Sequence, residues 1–349
     1  MRIHVSTVAR AAACLAANIF CHNAQAFDFG DSFQLHGFGS QDYLQTTHNT
    51  YLGADDRGTW DDNFLGLVGS FRLNDKSILW AQLETSSMDT THFTWFFIDY
   101  QFTENLRAHA GRVKMPLGIY NEYIDTKFLQ MSTLGPAIYQ AASDFVADAY
   151  NGVGLDYTQS LGSSGELLWQ VYGGDTYDPD PPDGTHDRRA FGGRVTYTTP
   201  VDGLRLLGSV IRIQNELLAT RQLINETHAI YSIDYVHNDW DVKSEFGTHT
   251  LDHVDSRGYY VQVGHAFGKW TPFARYDDIT TDSTLSSNES YYQKTLVVGL
   301  NYKLASNISL RVEDHFNRGY ALPVASGEVP VGLGTRNWQL FAAGIHFMF

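Results

Sequence analysis

The stretch Ile308-Ser309-Leu310-Arg311-Val312-Glu313-Asp314-His315-Phe316-Asn317 decides how the rest of the chain is read. Ile308, Leu310, Val312 and Phe316 share one face at a two-residue period, and Ser309, Arg311, Glu313, His315 and Asn317 share the other. Successive side chains of an extended strand point to opposite sides of its sheet, so this is a strand with one greasy and one ionic face. A soluble sheet also alternates, but its apolar face is the hidden one and its strands run to about five or six residues. Here the polar face carries Arg, Glu and His, and a packed core does not bury such groups unpaired. The pattern fits a sheet with hydrocarbon outside and water inside. Lipid satisfies no backbone polar group, so such a sheet must close on itself.

Working outward, the same period recurs. Leu296, Val298, Leu300 and Tyr302 oppose Gln293, Thr295, Asn301 and Lys303, and Leu79, Ala81 and Leu83 oppose Trp80, Gln82 and Glu84. Phe341, Ala343, Ile345, Phe347 and Phe349 line one face of the last segment. Sixteen strand-like segments are expected: 33–43, 64–73, 77–86, 93–102, 106–116, 152–160, 165–173, 190–198, 204–213, 227–237, 240–250, 257–267, 270–280, 291–303, 308–317 and 337–349. Most have the length that a tilted strand needs to cross a bilayer, about ten residues. Short turns built on Gly, Asn, Asp and Ser, such as Asn74-Asp75, Asn238-Asp239 and Gly268-Lys269, alternate with longer connections at 44–63, 87–92, 117–151, 174–189, 214–226, 251–256, 281–290 and 318–336. Short inner turns with long outer loops are the rhythm of an outer-membrane barrel. The expected class is all-β, a transmembrane antiparallel up-and-down barrel of about 16 strands.

Residues 1–26 read as a cleavable signal peptide: Arg2 and Arg10, an apolar run from Ala11 to Phe20, and Ala24-Gln25-Ala26 as a small-x-small cleavage site. The run is too short to span a bilayer, which takes roughly 20 residues. Residues 27–349 then form one domain, the barrel. Both cysteines, Cys14 and Cys21, fall in the leader, which removes disulfide, thiolate-metal and cysteine-nucleophile chemistry from the mature chain. The net charge of −15 becomes more negative without the leader's two arginines, which argues against nucleic-acid binding. Nowhere do 18 apolar residues run together, although aromatics make up 14% of the chain.

Two segments carry a family resemblance. The ending Ile345-His346-Phe347-Met348-Phe349 resembles the C-terminal signature of Gram-negative outer-membrane porins, which the barrel-assembly machinery reads. Gly111-Arg112-Val113-Lys114-Met115-Pro116-Leu117-Gly118 resembles the Gly-x-x-Lys-x-Pro-x-Gly segment of the phosphate-selective porin O and P group and its relatives. The resemblance implies a 16-stranded barrel, a homotrimer and one loop folded inward as a constriction, for which 117–151 is the natural candidate. Phosphate-selective members carry excess Arg and Lys along the pore, and this acidic chain departs from them there.

A barrel of this size encloses an aqueous channel whose selectivity comes from charged rings and inward loops. Alternation sends Arg72, Glu84, Asp99, Asp156, Arg194, Asp234, Asp241, Lys243, Glu245, Arg275, Asp277, Lys303, Arg311 and Glu313 toward the lumen. Arg112 and Lys114 join them if a bulge or kink lies near Gly111. Within 117–151, Glu122, Asp125 and Lys127 are expected to oppose Arg112, Lys114, Arg275 and Arg311 and set up a transverse field. The acidic excess falls to outer loops holding Asp55, Asp56, Asp61 and Asp62, and Asp175, Asp178, Asp180, Asp183 and Asp187. These form a solvated rim or bridge divalent cations to lipopolysaccharide.

Trp95, Phe96, Phe97, Tyr100, Tyr235, Trp240, Tyr259, Trp270 and Tyr302 read as interface girdles and lipid-facing rings. A lumenal stacking surface of Trp80, Phe93, Trp95, Phe97, Tyr172, Tyr260 and Trp338 is the alternative. No His-Glu-x-x-His, Gly-x-Ser-x-Gly or Walker loop is present. His249 and His253 are four apart but not on a helix, so no metal, cofactor or catalytic set is expected. The reading is a passive outer-membrane diffusion channel for small hydrophilic solutes or ions, surrounded by outer-membrane lipid and lipopolysaccharide. A non-conducting surface receptor or scaffold and, less favoured, a barrel enzyme are the alternatives.

Overall fold

A computed structural model describes residues 27–29, 32–87, 91–140, 145, 148–176, 185–217 and 220–349. Residues 1–26, expected to be a signal peptide, with their two cysteines, and the loop acids Asp178, Asp180 and Asp183 lie outside the described residues. A short strand β1 (Phe27–Phe29) precedes the barrel strands β2 (Phe33–Thr46), β3 (Thr59–Asn74), β4 (Ser77–Ser86), β5 (His92–Gln101), β6 (Leu106–Lys114), β7 (Ala149–Ser160), β8 (Glu166–Asp175) and β9 (Thr185–Thr198). The wall continues through β10 (Leu204–Leu217), β11 (Leu223–His237), β12 (Trp240–Leu251), β13 (Val254–His265), β14 (Trp270–Thr280), β15 (Tyr292–Ala305), β16 (Ile308–Gly319) and β17 (Asn337–Met348). Each of β2 to β17 pairs antiparallel with its neighbours, and β17 pairs with β2 to close a sixteen-stranded barrel. β1 adds three register pairs to the end of β2.

The two faces separate as the period requires. On β16, Leu310, Val312 and Phe316 are exposed while Ser309, Arg311, Glu313, His315 and Asn317 are buried. On β15, Val298 is 43% exposed and Thr295 5%. Tyr231 and Ile233 on β11 and Val153, Leu155 and Tyr157 on β7 continue the greasy exterior. An apolar surface wrapped around the whole wall is far larger than the few hundred Å² that a water-soluble monomer exposes, so the exterior suits lipid. Trp240 and the Trp270–Tyr302 pair, with ring centroids 4.3 Å apart, sit at inner strand ends as an interfacial belt. No described helix is long and apolar enough to cross a membrane.

The seam where the wall closes is made tight by glycine. Phe349 exchanges two 2.8 Å backbone hydrogen bonds with Gly37. A Cβ on Gly37 would lie 2.2 Å from the Phe349 ring, and one on Gly39 2.8 Å from the Phe347 ring. The two rings therefore lie flat over bare backbone of β2, where aromatic cover makes good the packing that a glycine lacks.

Two expectations are corrected by local irregularities. The connection foreseen as long at 251–256 is a two-residue turn, because Leu251 pairs with Val254 and Asp252 takes φ 53°. Register slips on β5 between the partners of Gln82 and Leu83, where Trp95 and Phe93 flank an extra Thr94. That bulge turns Phe93 outward, where it is exposed, and leaves Trp95 buried inside, so Phe93 leaves the lumenal aromatic row.

The candidate constriction

The described residues of segment 117–151 before β7 fold into the barrel, and the wall's charged side chains hold them there by their backbone. Arg311 donates to the carbonyls of Lys127 (2.7 Å), Phe128 (2.9 Å) and Ser132 (3.1 Å). Arg275 donates to the carbonyls of Leu134 (3.0 Å) and Gly135 (3.2 Å) and to Ser132 Oγ (2.7 Å), and pairs with Asp277 at 2.8 Å. Glu313 accepts from Thr133 N–H (2.9 Å) and Leu134 N–H (3.1 Å), and Asp277 accepts from Ala137 N–H (2.9 Å). Glu245 accepts from Ile119 N–H (2.8 Å) and from the hydroxyls of Tyr139 (2.7 Å) and Tyr260 (2.8 Å). A loop inside a barrel has no ladder partner, and its peptide groups must find others. These strand residues supply them.

The loop's apolar side packs against the wall as well. Ile119, Tyr120, Leu134, Ile138, Tyr139 and Phe145 join Leu44, Tyr260, Ile279, Trp338 and Leu340 in one buried cluster. Met115 and Leu117 join Tyr150, Tyr172, Ile211 and Ile230 in another. Tyr172, Tyr260 and Trp338, expected inward, are thus packed inside rather than laid open as a stacking surface.

The loop's own charges close into contact pairs instead of facing bases across a gap. Glu122 pairs with Arg194 at 2.6 Å, and Asp125 with Lys114 at 2.7 Å. Lys114 also pairs with Asp148. Lys127 reaches Asp62 at 2.7 Å and Asp42 at 3.0 Å. Lys243 pairs with Asp241 and stands 3.7 Å from Asp234, which also takes Arg205. Burial pushes the Asp125 carboxyl up to about 6, against the opposing pull of Lys114.

Arg112 is not brought to this group. Its register partner is Phe96, an exposed outward ring, and its Nε donates to the Thr94 carbonyl at 2.8 Å. β6 pairs without interruption through this region, and the kink is carried by Gly111 at φ 139°. An added Cβ there would lie 2.4 Å from the Phe96 carbonyl oxygen.

Asp42 and His346 were not singled out from the sequence, and Asp62 was expected in an outer loop. Asp62 belongs to β3 and faces inward, not to a solvated outer loop, and fully buried Asp42 stands 2.9 Å from His346. The signal for Asp42 was weak because Gly37, Gly39 and Ser40 blur the alternation of 33–43.

Between the loop and the wall of β4 to β8 a cavity of about 430 Å³ remains. Trp80, Trp95 and Phe97 line it with Asp99, Glu104, Asp156, Glu166, Glu122, Arg107 and Lys114. Five carboxylates against two fixed cations make this the acidic side of the interior.

A closed sixteen-stranded sheet with a greasy exterior, an ionic interior and one loop packed inside defines the class: the barrel architecture of outer-membrane porins. Among solved structures the chain is similar to Salmonella typhi OmpF in complex with daunomycin, at TM-score 0.63 and 14% identity over 93% of this chain and 100% of that one. It is similar to OmpT of Vibrio cholerae at TM-score 0.62 and 12% identity, covering 93% and 100% of the two chains. The anion-selective porin from Comamonas acidovorans gives TM-score 0.62 and 13% identity over 91% and 99%. At these identities the likeness is one of fold. The sequence matches no protein-family model. No curated protein sequence matches it either.

Proposed function

We propose that the chain is a passive channel of the outer membrane that admits small hydrophilic solutes or ions along the acidic wall of β4 to β8. The reading rests on one observation above others. The clamped loop leaves space on that side, and the charges lining the space are mostly carboxylates. Rings of acidic side chains favour cations by raising their local concentration and disfavouring anions. The porin-like fold of the structural neighbours supports the outer-membrane setting. Outer-membrane lipid, lipopolysaccharide and further copies of the chain in a homotrimer are its partners in this reading, and no covalent chemistry is involved.

Purified protein in planar bilayers is expected to give stepwise, ohmic conductance, with a reversal potential under a salt gradient that favours cations. Lys114→Ala, which removes a cation from the lining, raises that preference, whereas Arg112→Ala on the outward row leaves it unchanged. Absence of any conductance overturns the channel reading in favour of a plugged surface barrel. Equal shifts from the two variants overturn the assignment of the path.

A further inference from the structure

Near the outer end of β11, three side chains converge on one point inside the wall. β11 and β12 pair His228 with His249, and the stacked imidazoles have centroids 4.6 Å apart at 27°. Glu226, two residues before His228 on the same face, sets Oε1 2.9 Å from His228 Nε2 and 2.9 Å from His249 Nε2. The three ligand-type atoms lie within 4.8 Å of one another. His228 is 2% exposed and His249 5%.

The hydrogen-bond roles around this cluster are set from outside it. His228 Nδ1 lies 3.0 Å from the carbonyl oxygen of Phe145. A carbonyl only accepts, so Nδ1 carries a proton in this contact and Nε2 is the ring atom turned toward Glu226. His228 Nε2 and His249 Nε2 thus converge on the same carboxylate oxygen from two strands. The other carboxylate oxygen, Glu226 Oε2, is held by Asn215 Nδ2 at 2.7 Å, which keeps Oε1 aimed inward. Imidazole nitrogens buried against a carboxylate oxygen are stable when positive charge stands between them, whether a proton or a metal ion.

We propose that Glu226, His228 and His249 form a binding site for a divalent transition-metal ion of the zinc type. Two imidazole nitrogens and one carboxylate oxygen are a zinc donor set that leaves a fourth position for water. Imidazole donors select such ions over Mg²⁺ and Ca²⁺, which take all-oxygen sites. The Nδ1–H to backbone-carbonyl bond of His228 and the amide on Glu226 are the outer partners that orient ligands of this kind. Tetrahedral bonds of about 2.1 Å place ligand atoms about 3.4 Å apart, so the two 2.9 Å approaches open by roughly half an ångström on binding. Because Phe145 lies on the returning limb of segment 117–151, the ion would fasten that limb to β11. The site does not depend on conduction, and its test is read without a bilayer.

Full-length protein in detergent is stripped with chelator, titrated with zinc chloride, desalted, and its metal counted by mass spectrometry. One zinc per chain is expected. Glu226→Gln and His249→Ala reduce it to background while gel mobility before and after heating shows the barrel intact. Asn215→Ala weakens affinity by about 10–100-fold through the freed carboxylate. Anomalous scattering at the zinc edge from crystals of the unaltered protein places the ion between His228 and His249, whatever the variants do. Failure of the unaltered protein to retain zinc, retention that both substitutions leave untouched, or an anomalous peak elsewhere overturns the site.

Discussion

Lys114 and Arg112 stand two apart on β6, yet only Lys114 enters the ionic interior, where Asp125 and Asp148 meet it. Asp125 titrates near 6 because burial disfavours its charge more than Lys114 restores it. Since the unfolded carboxyl titrates near 3.9, the folded chain holds this proton more tightly, so the group favours folding on acidification and loses that contribution as pH rises through about 4 to 6. The same proton alters the charge held against Lys114, which does line the cavity. Lowering the pH from about 7.5 to about 5 neutralises Asp125 and should reduce cation preference, and Asp125→Asn should abolish that part of the pH response. Reversal potentials that fall equally in variant and parent would remove Asp125 from the path. At this scale the inward residues of β12 to β16 were legible because their alternation is unbroken up to the register slip at Lys303–Ala305 near the end of β15. Partners were not: that Glu122 finds Arg194, and that Arg275 and Arg311 spend their donors on loop carbonyls, depends on the path of a segment without periodicity.

Among the elements, segment 117–151 shows how wall and loop share their polar groups. Without Arg311, three loop carbonyls lose a charged donor within a buried space. Arg311→Ala should therefore cost on the order of 3 kcal/mol in denaturant unfolding and give larger, noisier conductance steps as the loop loosens. Unchanged stability together with unchanged step size would mean that the clamp does not hold the loop. The strands themselves were readable, all sixteen of them; most ran longer than the alternation showed, while β6 stopped at Lys114, two residues short of the expected end. The β11–β12 hairpin held further information that was missed. Asn238 and Asp239 both take positive φ (49° and 66°), as a two-residue hairpin turn demands, and a turn at that place pairs His228 with His249 by counting outward. Attention to His249 and His253 followed sequence spacing, whereas a hairpin brings together residues equidistant from its turn. The tight turn at 252–253 and the Thr94 bulge could not be read this way, since neither carries glycine or proline.

For the molecule as a whole, lipid outside and polar contacts inside make opposite demands on neighbouring residues. Val298, midway along β15 on the outer face, should lose about 2–4 kcal/mol on replacement by Arg when refolding is measured in bilayers, with little loss in a polar detergent. An equal loss in both media would place Val298 against protein rather than hydrocarbon. The wall is sealed where Phe349 and Phe347 lie over Gly37 and Gly39, two stretches about 300 residues apart along the chain. Every other pair joins strands that are neighbours along the chain, but the second edge of β2 is completed only by the last strand. Until then the sheet has two raw edges, and raw edges recruit whatever strand comes near. The unclosed sheet therefore depends on being kept away from other strands. The final hairpin, by giving β2 its missing neighbour, ends that dependence.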